Sequence, residues 1–244
     1  EQSYYYLSNN LLTIKFSNLG ASVKEVILKN YVSYDSLELK LVNDFNFSID
    51  FFLKDKRIET NNVLFSNVSQ YSNSLVFTFS DNDNNKIDFT YELVDNSYEL
   101  IFNIKVEEGN SYIEPSKLHW SQNINQLEKN INNERNATTI RYSFDNQSSK
   151  ELSLLKDVEK NIKSPTWIAY KQQFFSTILY SNNIFNETTI KTKTPDTDEY
   201  IKHLSSEMDV EYNNKHNLYS FSFYFIPNKY ALLKSYNKGF ESLI

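Results

Sequence analysis

Apolar side chains recur at every second position along most of this chain. Leu12, Ile14 and Phe16 alternate with Thr13, Lys15 and Ser17, and Phe47, Ile49, Phe51 and Leu53 repeat the pattern, as do Leu75, Phe77 and Phe79. Period two marks strands with one buried and one wet face. The clearest pair is Ile87, Phe89, Tyr91 and Leu93, then Tyr98, Leu100, Phe102, Ile104 and Val106, with Asp95-Asn96-Ser97 between them as turn residues. Lys86, Asp88, Thr90 and Glu92 fill the opposite face of the first strand, so the segment predicts a long antiparallel hairpin. Further strands are predicted near 113–124, 138–144, 151–155, 167–180, 199–211 and 217–226, the last with Phe221, Phe223 and Phe225 on one face. Polar clusters at 54–62, 81–85, 128–136, 145–150 and 192–198 predict loops. Many long strands, with no composition break and no fixed-period repeat, predict one all-β domain of two large packed sheets.

The last residues change period. Leu232, Leu233, Tyr236, Phe240 and Leu243 recur at helical spacing, with Lys229, Lys234, Lys238 and Glu241 falling largely elsewhere. Pro227 suits a first helical turn and Asn228 a cap, so residues 228–244 predict an amphipathic helix, or two short ones broken near Gly239. This helix either packs on the sandwich edge or leads toward a membrane segment beyond Ile244.

Composition narrows the chemistry. The chain has 244 residues, 40% of them hydrophobic and 16% aromatic, enough for a substantial core. Only Gly20, Gly109 and Gly239 are glycines, and phosphate-cradling loops need glycine for close backbone approach. P-loop and dinucleotide-binding folds are therefore excluded. The net charge of −6 and the lack of a basic block argue against nucleic-acid binding. Cysteine is absent, so disulfide and thiol chemistry are excluded. No run of roughly 18 apolar residues is present to span a bilayer.

Candidate reactive residues are sparse. His119, His203 and His216 lie far apart in sequence and show no zinc spacing, so no metal or cofactor is expected. Asp81 and Asp83 with their asparagines suggest a calcium loop, but the spaced Gly and terminal Glu are missing, which favours a polar hairpin tip. No G-x-S-x-G turn occurs, and no catalytic residue is assigned.

The segment Trp167-Ile168-Ala169-Tyr170-Lys171-Gln172-Gln173-Phe174-Phe175-Ser176 is unusual in composition. It resembles the signature of the periplasmic domain of YidC-type membrane protein insertases, a tryptophan-led strand followed by a Gln-Gln-aromatic-aromatic strand. Phe223-Tyr224-Phe225-Ile226-Pro227-Asn228-Lys229-Tyr230 resembles the point where that family's last strand runs into its helix, with Ile226 in place of the family's glycine. Leu233 to Glu241 resembles its linker, Leu11 to Leu28 its first strands joined by a glycine turn, and Leu118 to Arg135 its central region.

The resemblance implies a β-supersandwich like that of galactose mutarotases, spanning residues 1–227, with a helical linker at 228–244 in the same domain. It implies an accessory domain, not an enzyme, at the periplasmic face of the bacterial inner membrane. The parent protein would insert and fold inner-membrane proteins with or without the Sec translocon. Sec components, nascent membrane proteins and the protein's own transmembrane core are the implied partners, with hydrophobic spans expected on both flanks. Trp167, Gln172, Gln173, Phe174 and Phe175 would form signature strands, with the two glutamines bonding edge backbone groups or facing a partner. Pro227, Tyr230, Leu233, Tyr236 and Phe240 would form a coupling helix. On this view insertion would survive loss of the sandwich if 228–244 were kept. Two alternatives are a carbohydrate-active epimerase, with His119, His203, Glu207 and His216 as candidate acid and base, and a free-standing ligand-binding envelope sandwich.

Overall fold

The computed structural model describes residues 1–43, 45–53, 56–111, 113–144, 148–181, 185–210 and 218–244. His216 lies outside the described residues. The first four strands, β1 (Tyr4–Ser8), β2 (Leu12–Ser17), β3 (Ser22–Val32) and β4 (Glu38–Val42), form a meander. β5 (Phe45–Leu53) and β6 (Lys56–Glu59) then open a second sheet, and β7 (Asn67–Gln70), β8 (Ser74–Ser80), β9 (Lys86–Leu93) and β10 (Glu99–Glu107) a third. After β11 (Ile113–Asn123) comes a helix, α1 (Ile131–Ala137), followed by β12 (Thr139–Ser143), β13 (Lys150–Glu151) and β14 (Val158–Lys163). The chain ends with β15 (Trp167–Lys171), β16 (Phe175–Tyr180), β17 (Phe185–Lys193), β18 (His203–Val210), β19 (Leu218–Pro227) and a helix, α2 (Tyr230–Ser235). A last 3-10 turn covers Phe240–Leu243.

Among the described residues the sheets contain four, nine and six strands, in orders β1-β2-β3-β4, β13-β12-β15-β16-β19-β10-β9-β8-β7 and β14-β17-β18-β11-β5-β6. The predicted hairpin is β9–β10, in register from Leu93 opposite Leu100 to Lys86 opposite Glu107. The expectation of two sheets needs correction, because the layer facing the nine-stranded sheet is split. Phe47 of the six-stranded sheet meets Phe102 and Phe223 at 5.4 and 5.0 Å, while Phe16 of the four-stranded sheet meets Tyr91 at 4.9 Å. A nine-stranded sheet twists too far for one flat partner to cover it. Among the described residues the closest ring contact between layers is Trp120 stacked on Tyr170 at 3.6 Å, with the Tyr170 hydroxyl donating to the Trp120 carbonyl at 2.8 Å.

Several predicted loops and strands differ from the structure for identifiable reasons. Residues 54–62 contain β6 and a 3-10 turn at Thr60–Asn62, which reads as polar because β6 is a largely exposed edge strand. Of 151–155, only Glu151 is in a strand; Leu152 turns inward and Leu155 is exposed. The 199–211 strand begins at His203. β17 was hidden because its inward positions are Thr188, Ile190 and Thr192. The tip at 81–85 is the expected polar turn: Asp81 Oδ1 accepts the N–H of Asp83 and of Asn85, both at 2.9 Å. The tip rests on Gly109, where an added Cβ would lie 2.3 Å from the Asp83 carbonyl.

The 128–136 loop contains α1. Asn130 caps it by accepting from the Asn133 N–H at 3.1 Å, and Arg135 ties it to the carbonyls of Thr197, Tyr200 and Ile201. Its inner residue is Glu134, buried, with both carboxyl oxygens on the Leu127 N–H at 3.1 and 3.2 Å. Nearby, buried Lys202 donates to the carbonyls of Thr138 and Leu154, both at 2.8 Å, and burial lowers its pKa to about 8. Burial raises the Glu134 pKa from its ordinary value of 4.5 to about 7. The folded state therefore holds this proton more tightly than the unfolded chain. Its contribution falls as pH rises from about 4.5 through about 7 and is flat above. Glu134→Gln keeps an acceptor without the charge. In urea titrations its stability gain over the parent chain should grow by roughly 1–2 kcal/mol between pH 5 and 7.5; a pH-independent difference would contradict this.

Candidate functional site

Period-two alternation fails in three adjacent strands. Trp167–Tyr170 of β15, Phe175–Leu179 of β16 and Phe223–Pro227 of β19 are buried at every position. A strand reads this way when both sheet faces are covered. The inner face meets the six-stranded sheet. The outer face is roofed by the chain's own C-terminal tail, residues 228–244, which sets Leu233, Phe240 and Leu243 down at 0% exposure.

The tail is held by aromatic edges and by donors placed along the sheet. Phe240 meets Trp167, Tyr180 and Tyr224 at 5.8, 6.3 and 4.9 Å, all nearly edge-to-face, and Tyr236 meets Tyr224 at 5.0 Å. The Trp167 indole N–H donates to the Lys238 carbonyl at 3.2 Å, and the Lys238 ammonium sits 3.8 Å above the Tyr180 ring. Arg141 and Ser149 both donate to the Ser242 carbonyl. The Tyr236 hydroxyl accepts the Tyr98 N–H at 3.2 Å. Beneath the tail, Tyr224 donates to Glu99 at 2.8 Å, and burial and that carboxylate raise its pKa. Gly239, at φ +73°, makes the left-handed break between α2 and the 3-10 turn, so the two-piece form of the predicted helix is the one present.

At the other end of these strands the signature glutamines form a turn. The Gln172 N–H donates to the Phe175 carbonyl at 2.8 Å, so Gln172-Gln173-Phe174 joins β15 to β16 instead of lying in a strand. Pro227 is likewise the end of β19, paired with Phe175, and does not open the helix. Asn228 is not the cap; Lys229 occupies that position with no side-chain bond. The Asn228 side chain instead clamps the turn. Its Nδ2 donates toward the carbonyls of Gln172 (3.0 Å), Phe175 (3.2 Å) and Gln173 (3.4 Å), its Oδ1 accepts from Ser176 at 2.7 Å, and its N–H donates to the Phe174 carbonyl at 2.7 Å. The Gln172 amide is buried with neither end hydrogen-bonded, while Phe174 and Tyr230 are about half exposed. Both sets of predicted site residues thus belong to one assembly. The sequence reading missed the role of Asn228, for which its position directly after a strand-ending proline was the available signal.

A second concentration of polar groups lies on the outer face of the six-stranded sheet. His119 Nε2 is 2.8 Å from Asp50 Oδ2, which also accepts from the Arg57 guanidinium, and His119 Nδ1 is 4.0 Å from Glu207 Oε1. His203 faces the same cleft, with Nδ1 2.7 Å from Asn123 Oδ1. His119 opposes Glu207 and His203 opposes Asn123, so the two histidines stand four ladder positions apart, roughly 13 Å along the strands. Among the described residues no acidic and histidine side chains cluster tightly enough to hold a metal ion, and no helix is long and apolar enough to cross a membrane.

With this geometry in hand, comparison with known proteins is decisive for the family. The model of the YidC periplasmic domain matches residues 5–244. The chain belongs to this family. Curated YidC relatives named membrane protein insertase include those of Bacteroides fragilis (30% identical, 99% of this chain, 40% of the relative) and Parabacteroides distasonis (30%, 98% and 39%). The chain thus spans about two fifths of the length of the YidC proteins it matches. Among solved structures, a galactose mutarotase-like protein from Lactobacillus casei superposes with a TM-score of 0.60 at 11% identity, covering 92% of this chain and 100% of that one. A putative aldose 1-epimerase from Escherichia coli K12 gives 0.59 at 10%, with 93% and 100% coverage. At such identity these show the fold alone: this YidC periplasmic domain is a galactose-mutarotase-like β-supersandwich with a short C-terminal helix.

The clamp and the roof differ measurably from their surroundings. In urea unfolding, Phe240→Ala should cost about 3 kcal/mol and Asn228→Ala about 2 kcal/mol, while Tyr230→Ala should stay within about 0.5 kcal/mol. Equal midpoints for all three would contradict the assignment.

Proposed function

We propose that this chain is the accessory periplasmic domain of a membrane protein insertase, and that its C-terminal tail couples the sandwich to a membrane-embedded core. On this reading it sits at the periplasmic face of the inner membrane and carries out no reaction itself. It assists an insertase that acts with or without the Sec translocon. Sec components, nascent membrane proteins and the transmembrane core are its partners. The names of the relatives and the family match support the insertase part. The observation that carries the coupling part is the two-sided burial of β15, β16 and β19 beneath residues 228–244. A tail packed with Leu233, Phe240 and Leu243 fully buried moves with the sheet as one body, so a displacement of either is felt by the other. The exposed rings of Phe174 and Tyr230 beside the clamp offer contact area to a partner.

The same packing sharpens the test. A truncation that keeps only 228–244 strips the tail of the surface that covers three apolar residues, so point changes in the full-length insertase are preferable. In an insertase-depleted strain, a Leu233→Asp/Phe240→Asp double variant is expected to fail in complementation even when its expression is raised to the parent's immunoblot level. Lys163→Ala, on the exposed face of the other sheet, should rescue fully. Growth of the double variant equal to the parent would remove the coupling role.

A further inference from the structure

Between the tail and the outer face of the nine-stranded sheet lies a hollow of about 670 Å³, within the range of small-ligand sites. Four rings wall it: Phe144, Trp167, Tyr180 and Tyr230. Two opposite charges stand among these rings, Lys238 and Glu241, both half-buried and separated in sequence only by Gly239 and Phe240. Among the described residues neither forms an ion pair, with the other or with any further group. The packing of the tail therefore uses the backbone of this stretch and the Phe240 ring, and leaves a cation and an anion unpaired on the wall of one cavity.

Each charge asks for a particular partner. Glu241 Oε2 is buried and accepts no hydrogen bond. A carboxylate oxygen in that position is costly until a donor reaches it. The Lys238 ammonium sits 3.8 Å above the Tyr180 ring. A ring face takes its charge without taking its N–H donors, which stay available to an anion. One cation and one anion in the described lining favour a ligand that carries both charges and is neutral overall. The positive end must bear N–H groups to satisfy Glu241, which selects a primary ammonium over a trimethylated one. The negative end meets Lys238 together with the hydroxyls of Ser148 and Thr166 and the Asn237 amide. A phosphodiester offers more acceptor oxygens to such a set of donors than a carboxylate does.

We propose that this hollow binds a phosphoethanolamine group, whose primary ammonium donates to Glu241 and whose phosphate accepts from Lys238. The group can come as a free glycerol diester or as the headgroup of a lipid. The test is an NMR titration of the whole chain with glycerophosphoethanolamine, and with glycerophosphocholine as the matched ligand lacking N–H donors. The Trp167 indole N–H, bonded to the Lys238 carbonyl at 3.2 Å, reports on the hollow. Saturable shifts of that resonance are expected with the ethanolamine diester, and binding about tenfold weaker with the choline diester, with Lys238→Gln and with Glu241→Gln, the loss of one charge-assisted hydrogen bond each. An amide spectrum unchanged away from the tail verifies the fold of each variant, and the comparison of the two diesters needs no variant. Sedimentation with phosphatidylcholine vesicles, with and without phosphatidylethanolamine, separates the sources: capture only by vesicles that contain the ethanolamine lipid assigns the headgroup, and binding of the free diester alone assigns a soluble ligand, either of which upholds the site. The inference is overturned if the ethanolamine diester leaves the Trp167 resonance in place, if the choline diester binds as tightly, or if neither variant weakens binding. It goes beyond the coupling reading and does not rest on it, and none of these outcomes bears on the complementation test of the tail.

Discussion

The architecture depends on burying the outer face of the nine-stranded sheet. Trp167, Tyr180 and Tyr224 project from that face, and solvent would otherwise meet a continuous aromatic patch at the centre of the sheet. The chain solves this with its own last residues. Phe240 enters the middle of the patch, Leu233 and Leu243 close its sides, and backbone carbonyls at Lys238 and Ser242 receive the polar donors. Every donor that anchors the tail comes from a strand or a segment beside one. The tail is therefore fixed in register with the sheet.

The opposite layer of the sandwich is arranged differently. Among the described residues nothing roofs the six-stranded sheet, and its outer face is paved with paired charges such as Lys163–Glu187 and Lys191–Glu159. Such exposed pairs contribute little stability individually. Asp50 departs from this pattern because it is buried beneath Arg57 and His119, which sacrifices solvation for a fixed geometry. The domain thus has one face committed to its own tail and one face left open and polar.

Much of this was legible from residue pattern. The β9–β10 hairpin alternates so regularly that its register follows from the sequence, and the tail's helical spacing and its break at Gly239 were both readable. Edge strands such as β6 and β14 were not, because a strand wet on both faces has no hydrophobic period. The signature strands were recognised by their resemblance to the family, but their continuous burial signals a covering element that pattern alone does not identify. Asn228 was read as a cap because local chemistry suits one. Its actual partners, the carbonyls of the Gln172–Phe175 turn, are more than fifty residues away. The meeting of His119 with Asp50, sixty-nine residues apart, is equally a product of strand order.

The central claim is that tail and sheet are one cooperative body. Amide hydrogen exchange on the intact chain tests it most directly. If the claim holds, the amides of Leu233 and Ser242, which are hydrogen-bonded to Lys229 and Gly239, exchange only as slowly as those of β15 and β16, through the same global opening. Exchange of the two tail amides many-fold faster than the strands beneath them would show a fraying terminus and contradict the account.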